Sequence, residues 1–205
     1  DDFKQKTLQT DADKIQFRKE LGIGEKDIVL ITVGRFSYSK AQRYAIEAFA
    51  ALCKKYDHIK FLLIGEGELL EECRQLAVKS GINADKIKFL GYKNDIPRYL
   101  SISDIFIFTS LREGLPRVIV EASLLQVPVV TFAVEGASEV IENEKSGYIV
   151  PQGDTELLIF KTEQLISHPE IRMAFGKLSQ QHVLKNWDMH LMAGQLQKIY
   201  NRNSV

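Results

Sequence analysis

From Asp27 to Val150, short apolar runs alternate with stretches whose apolar residues recur at helical spacing. The runs are Ile28–Val33, Lys60–Ile64, Ile87–Leu90, Asp104–Phe108, Pro128–Phe132 and Gly147–Val150. Most are continuous rather than alternating, as expected of parallel strands covered on both faces. Between them, Ala45, Ile46, Phe49, Leu52 and Tyr56 mark one amphipathic helix, and Leu69, Leu70, Cys73, Leu76 and Ala77 a second. Val118, Ile119, Ala122 and Leu125 mark a third. Strand and helix alternating in this way predict a doubly wound, three-layer α/β/α domain with a six-stranded parallel sheet. Beyond Val150 the pattern turns helical. Asp154 is placed to cap a helix carrying Leu157, Leu158, Leu165 and Ile166, Pro169 fits the first turn of the next, and Trp187 to Tyr200 forms a last one. Residues 1–26 read as a connecting segment with a short helix, leaving 27–205 as the domain.

At 205 residues the chain can bury a full core. Its 27 basic and 27 acidic residues cancel, so no general field draws nucleic acid or an anionic membrane, and any positive potential must be local. Cys53 and Cys73 both fall on helical segments and read as small buried hydrophobes in a reducing compartment, not as a disulfide. No apolar run approaches the roughly eighteen residues of a membrane span, and no signal peptide pattern is present. His58, His168, His182 and His190 lack metal-ligand spacing and are expected on the surface without a role. The chain opens on Asp1-Asp2-Phe3-Lys4 without a Met, which is expected of a piece cut from something longer.

In an open doubly wound sheet, ligands bind beyond the carboxyl ends of the strands, where strand order reverses. For the order 3-2-1-4-5-6, the loops after strands one and four meet there. The first reads Gly34-Arg35-Phe36-Ser37-Tyr38-Ser39-Lys40, the second Thr109-Ser110-Leu111-Arg112-Glu113-Gly114-Leu115-Pro116. Gly34 permits a close backbone approach. Arg35 offers a planar fork for phosphate oxygens, and Lys40 a point charge. Pro116 is expected as the first residue of a helix, which leaves Glu113 in the loop before it and Glu121 near the end of its second turn. The free N–H groups of that helix start can receive an anion. Two carboxylates flanking an anion hole suit a phosphorylated sugar. The plainer account is an amphipathic helix with an Arg117–Glu121 surface pair, beside solvated loop charges at Arg35 and Lys40. Gly65-Glu66-Gly67-Glu68 mimics the start of a dinucleotide fingerprint, but Leu70 stands where its third glycine belongs, so a tight strand-to-helix turn is the better account.

With these residues in hand, the chain resembles the C-terminal, donor-binding half of the family-4 (group 1) retaining glycosyltransferases. That half is a Rossmann-like domain, one of the two in a GT-B fold. The resemblance runs from about Gly22 to Tyr200 through VGRFSYSKAQRYAIEAF (33–49), FLLIGEGELLEE (61–72), IKFLGYKNDIPRYLSISDIFIFTS (87–110), REGLPRVIVEASLLQVPVV (112–130) and SGYIVPQGD (146–154). The spacing of Glu113 and Glu121 is the family's E-x7-E signature. The resemblance implies that Arg35 and Lys40 clamp the donor pyrophosphate, and that Glu121 accepts the ribose hydroxyls. Glu113, with the backbone of Gly114 and Leu115, would meet the donor sugar and its phosphate, and Gly91-Tyr92-Lys93 the nucleobase. Two positions depart from the family: Glu135-Gly136-Ala137-Ser138-Glu139 replaces Gly-Gly-x-x-Glu, which keeps Glu139 out of the expected site, and Ala41 replaces a common glycine.

The resemblance further implies transfer of a hexosyl unit from a nucleotide diphosphate sugar, with retention, to a glycan or lipid-linked acceptor of the surface-polysaccharide type. The acceptor would enter through an N-terminal domain that this chain lacks, and the helix from Trp187 to Tyr200 resembles the one that packs back on that domain. Arg35, Lys40 and the helix start at Pro116 would stabilise the departing phosphate in place of a metal. No Asp-x-Asp motif is present, and neither cofactor nor metal is expected. A full-length protein would work in the cytoplasm, associating peripherally with the inner face of the membrane. Two alternatives stand beside this: a sugar-nucleotide 2-epimerase, which shares the architecture, and a nucleotide-sugar-binding module without turnover.

Overall fold

The computed structural model describes residues 7–8, 10–114 and 116–186. Leu115, His190 and the expected helix from Trp187 to Tyr200 lie outside the described residues. The six strands are β1 (Ile28–Val33), β2 (Ile59–Ile64), β3 (Ile87–Phe89), β4 (Ile105–Phe108), β5 (Val129–Phe132) and β6 (Gly147–Val150). They form one sheet in the order β3-β2-β1-β4-β5-β6 with every neighbouring pair parallel. The expected doubly wound sheet is present, with small shifts at strand ends: β2 begins one residue early at Ile59, and β3 stops at Phe89.

Side chains alternate across the sheet, and the burial of both faces explains the continuous apolar runs. Leu30 of β1 joins one core with Phe49, Phe61 and Leu165, while Val29 and Ile31 join the other with Phe106, Ile119 and Leu100. Helices α2 (Gln42–Cys53), α3 (Leu70–Lys79) and α7 (Thr155–Ser167) cover the first core. Helices α1 (Asp11–Glu20), α4 (Ile96–Leu100), α5 (Arg117–Leu124) and α6 (Ala137–Val140) cover the second. The last described helix, α8 (Pro169–Asn186), serves both: Phe175 stacks edge-on with Tyr148 at 5.1 Å, and Val183 is buried on the other side. The expected caps hold. Asp154 accepts the amide of Leu157 at 2.9 Å, and Pro169 begins α8.

Helix α2 ends at Cys53 rather than running to Tyr56, whose hydroxyl instead bonds to Glu163 on α7 at 3.0 Å. Both cysteines are free, and burial pushes each thiol up to about 11, which keeps it protonated and inert at neutral pH. Short helices α4 and α6 carry no periodic signal of their own and were not anticipated. Phe17 of α1 packs on Tyr99 at 5.1 Å, and Arg18 donates to the carbonyls of Ile102 and Gly24 at 3.1 and 3.2 Å, docking α1 beneath the sheet.

Candidate functional site

The order β3-β2-β1-β4 makes β1 and β4 neighbours at the point where the winding reverses, pairing Leu30 with Ile105 and Ile31 with Phe106. Their loops are stitched together just beyond the strand ends. The amide of Leu111 donates to the carbonyl of Ser39 at 2.7 Å, and the Thr109 hydroxyl donates to that of Ala41 at 3.1 Å. Gln152, after β6, adds a side-chain bond to Leu111 at 3.0 Å and another to Ala133 at 2.9 Å. The two charged constellations therefore share one edge of the sheet, as their order in the sequence predicts.

Within this edge the ammonium of Lys40 donates to the carboxylate of Glu113, and it lies 5.7 Å from the centre of the Phe108 ring. Glu113 is largely covered, with 12% of its side chain exposed, and Lys40 has 27% exposed. Arg35 points elsewhere. Its Nε and Nη2 both lie 3.2 Å from one oxygen of Glu68, in the turn before α3, in a pair open to solvent on both sides.

Glycine holds these loops at contact distance. A Cβ on Gly65 would stand 2.0 Å from the carbonyl oxygen of Gly34, and one on Gly67 would stand 2.3 Å from that of Phe36. Parallel pairing runs on past the strands as a result: Gly34 N–H bonds to Ile64 at 2.9 Å, and Phe36 N–H to Glu66 at 2.9 Å. The close approach expected of Gly34 is thus made by a neighbouring loop. Phe36 is fully buried beneath it. That burial contributes about 1.5–3 kcal/mol, which offsets the roughly 1–2 kcal/mol cost of the left-handed conformation at Ala41 (φ 46°), the position of the absent glycine. Buried Gln42 was missed by the sequence reading: its amide donates to the carbonyls of Gly34 and Arg35 at 3.3 and 2.9 Å.

Pro116 is the cap residue of α5, not its first helical residue. Its ψ of 82° is non-helical, and its carbonyl accepts the amide of Ile119 at 2.9 Å. Glu113 still precedes the helix, and Glu121 still lies in its second turn. Gly114 is exposed, and a Cβ on it would meet only open space. Glu121 is half-buried and has no hydrogen-bond or ion-pair partner among the described residues, so the Arg117–Glu121 surface pair is not formed. Burial raises its carboxyl above the ordinary carboxylate range, against a weaker opposing pull from Arg117.

A groove of about 700 Å³ runs along the ends of β1, β2 and β3. It brings Gly34 and Arg35 together with Tyr92 and Lys93, and adds Glu66 and Asn94, which the sequence reading did not select. Gly91 turns this loop at φ 69°, and its carbonyl accepts the amide of Gly65 at 2.9 Å. Tyr92 is 70% exposed, leaving an aromatic face available above the groove. His182 is a correction to the surface reading of the histidines: its ring is 20% exposed and bonds to Glu142 at 3.1 Å and to the Glu139 carbonyl at 2.9 Å, tying α8 to α6. Among the described residues, no group of three or more His, Cys, Asp or Glu side chains could hold a metal ion, and no helix is long and apolar enough to cross a membrane.

Residues 13–182 match the family model described as glycosyl transferases group 1. A capsular polysaccharide biosynthesis glycosyltransferase of Staphylococcus aureus, CapM, is 28% identical over 197 residues, covering 95% of this chain and 51% of its own length. Among solved structures, Anabaena HepE in complex with UDP-glucose superposes with a TM-score of 0.86 at 25% identity, over 97% of this chain and 55% of its own. The C-terminal domain of the group 1 protein LpcC from Francisella tularensis superposes with a TM-score of 0.76 at 23% identity, over 89% of this chain and 95% of its own. The chain spans about half the length of the curated relatives it matches.

Proposed function

The chain belongs to the group 1 glycosyl transferases, as the C-terminal half of their GT-B architecture, and on that premise we propose that it holds the nucleotide diphosphate sugar from which a glycosyl unit is transferred. The observation that carries this reading is the meeting of the β1 and β4 loops at the reversal point, where Lys40 and Glu113 pair. Arg35 and Lys40 receive the diphosphate, and the free N–H groups at the α5 start add donors. Glu121 takes the ribose hydroxyls. Its lack of an internal partner supports this role, because the carboxylate is left free to accept them. The groove beside Tyr92 and Lys93 takes the base, and Glu113 orients the sugar. The complex of HepE with UDP-glucose supports a uridine diphosphate sugar as the donor class.

As the glycosidic bond breaks, negative charge grows on the departing diphosphate. Fixed cations and helix-start N–H groups stabilise that charge more than they stabilise the ground state, which is what lowers the barrier. In this reading protein charge does the work without a divalent ion, and transfer proceeds with retention. It requires the half of the relatives that this chain does not span, where the acceptor binds. CapM's part in capsular polysaccharide biosynthesis supports a surface-polysaccharide acceptor, glycan or lipid-linked, met by the whole protein at the inner face of the membrane. A thermal-shift comparison of UDP-, GDP- and ADP-sugars on the chain tests the core of the proposal, since a ligand specific to the folded state raises its Tm. One series should stand out. No shift with any of the three would sink it.

A further inference from the structure

Glu68 belongs to none of the roles assigned above, yet it holds the guanidinium assigned to the diphosphate. Both Nε and Nη2 of Arg35 converge on a single Glu68 oxygen at 3.2 Å, the way a guanidinium fork grips a phosphate oxygen. This pair is not an accident of two mobile side chains. The segments that carry it are joined main chain to main chain through Phe36, the residue after Arg35. Phe36 N–H donates to Glu66 at 2.9 Å, Leu69 N–H donates to Phe36 at 3.0 Å, and Gly67 lies directly against Phe36. The carboxylate is therefore delivered to Arg35 by the backbone. Its own backbone N–H, and then Arg35, hold its carboxyl below the ordinary range, so it is charged at neutral pH.

We propose that Glu68 is a positioning residue that occupies the place of a donor phosphate oxygen on Arg35, so that donor binding exchanges one anion for another. This rests on the assignment of Arg35 to the diphosphate. The exchange keeps Arg35 extended and aimed when the site is empty, at the cost of affinity for any diphosphate. A ligand without phosphates does not compete with Glu68 at all.

The test is calorimetric titration of the folded chain with UDP and with uridine. Glu68→Gln should tighten UDP binding about two- to five-fold, the range set by the strength of an exposed ion pair, and leave uridine unchanged. Glu68→Asp keeps the charge but is one methylene too short to make the contact, so it should tighten UDP binding as well. In an Arg35→Ala background neither change should matter. Tightening by Gln but not by Asp would mean that Glu68 acts through its field alone, and would overturn the proposal. So would tightening that persists without Arg35, or no tightening by either variant. If Arg35→Ala itself leaves UDP affinity intact, the diphosphate assignment fails and this inference falls with it. If Arg35→Ala weakens UDP binding while both Glu68 variants bind as wild type, only the inference about Glu68 fails.

Discussion

Lys40 and Glu113, 73 positions apart in the chain, form an ion pair where the loops after β1 and β4 meet. Neither residue lies on a regular element. Their meeting depends on the sheet order that makes β1 and β4 neighbours, and on the Leu111–Ser39 and Thr109–Ala41 hydrogen bonds that tie the loops. The pair places a cation and a carboxylate side by side at the mouth of the crevice. A phosphate and a sugar hydroxyl on one donor molecule need that combination.

Arg35→Ala and Lys40→Ala should each weaken UDP binding far more than uridine binding. They should differ in stability. Arg35 is in an exposed pair worth little, so its loss should leave the Tm almost unchanged. Removing Lys40 strands the covered Glu113 carboxylate without its partner, and should cost about 1–3 kcal/mol. Titration of both ligands and a thermal melt of each variant check this; equal losses for UDP and uridine would mean that the residues act through the fold.

Glu121→Gln should trade binding for stability. Burial raises the Glu121 carboxyl above its ordinary 4.5, so the folded chain holds that proton more tightly than the unfolded chain does. The stability from this group is complete below 4.5 and is lost as pH rises through the raised value. At neutral pH the amide escapes this loss, and the Tm should rise slightly. Ribose hydroxyls donate to the charged form, so Glu121→Ala or Glu121→Gln should weaken uridine and UDP alike, by about 1.5–3 kcal/mol. In the wild type the same affinity should fall as pH drops through the raised value, and that fall should vanish in the glutamine variant.

Ala41→Gly should stabilise the fold by about 1 kcal/mol, the strain of a left-handed non-glycine residue less the greater freedom of glycine in the unfolded chain. Chemical denaturation measures it. An unchanged or lowered midpoint would show that the buried methyl outweighs the strain.

Gly65→Ala should cost about 1–3 kcal/mol and weaken UDP binding, because the added methyl strikes the Gly34 carbonyl and pushes the β1 loop away. Gly81→Ala is the control. It shares a positive φ, but the methyl meets open space, so it should lower stability without changing UDP affinity.

UDP affinity should be the same with EDTA as with magnesium, since the proposed site draws its positive charge from Arg35 and Lys40. The chain by itself should transfer no sugar from UDP-glucose to any acceptor. A large loss of affinity on chelation would move part of the charge compensation to a divalent ion.

The sheet was legible because its strands are buried on both faces, and such strands must be apolar throughout; β1 and β6 match their runs to the residue. The strand order and the meeting of the two loops followed from the topology. Helices α4 and α6, at five and four residues, are too short for a period to show. The start of α5 slipped by one residue because proline suits either the cap or the first turn, and only ψ distinguishes the two. Gln42 was invisible for another reason: a polar residue at a helix start reads as solvated, and only the fold shows that its amide is buried on two carbonyls of the β1 loop. Gly34 was singled out for closeness, but the partner it approaches sits 31 positions away, where local reading saw only a turn.

The contacts that Gly65 and Gly67 make with the β1 loop involve main chain alone. Position 66, on the groove wall, and position 68, beside Arg35, extend from a mount whose geometry is indifferent to what they carry. Side chains there can be exchanged without displacing the main chain of the β1 loop. On the proposed assignments, selectivity for the base and affinity for the phosphates can thus be retuned separately from the scaffold, by single substitutions that leave the sheet edge where it is.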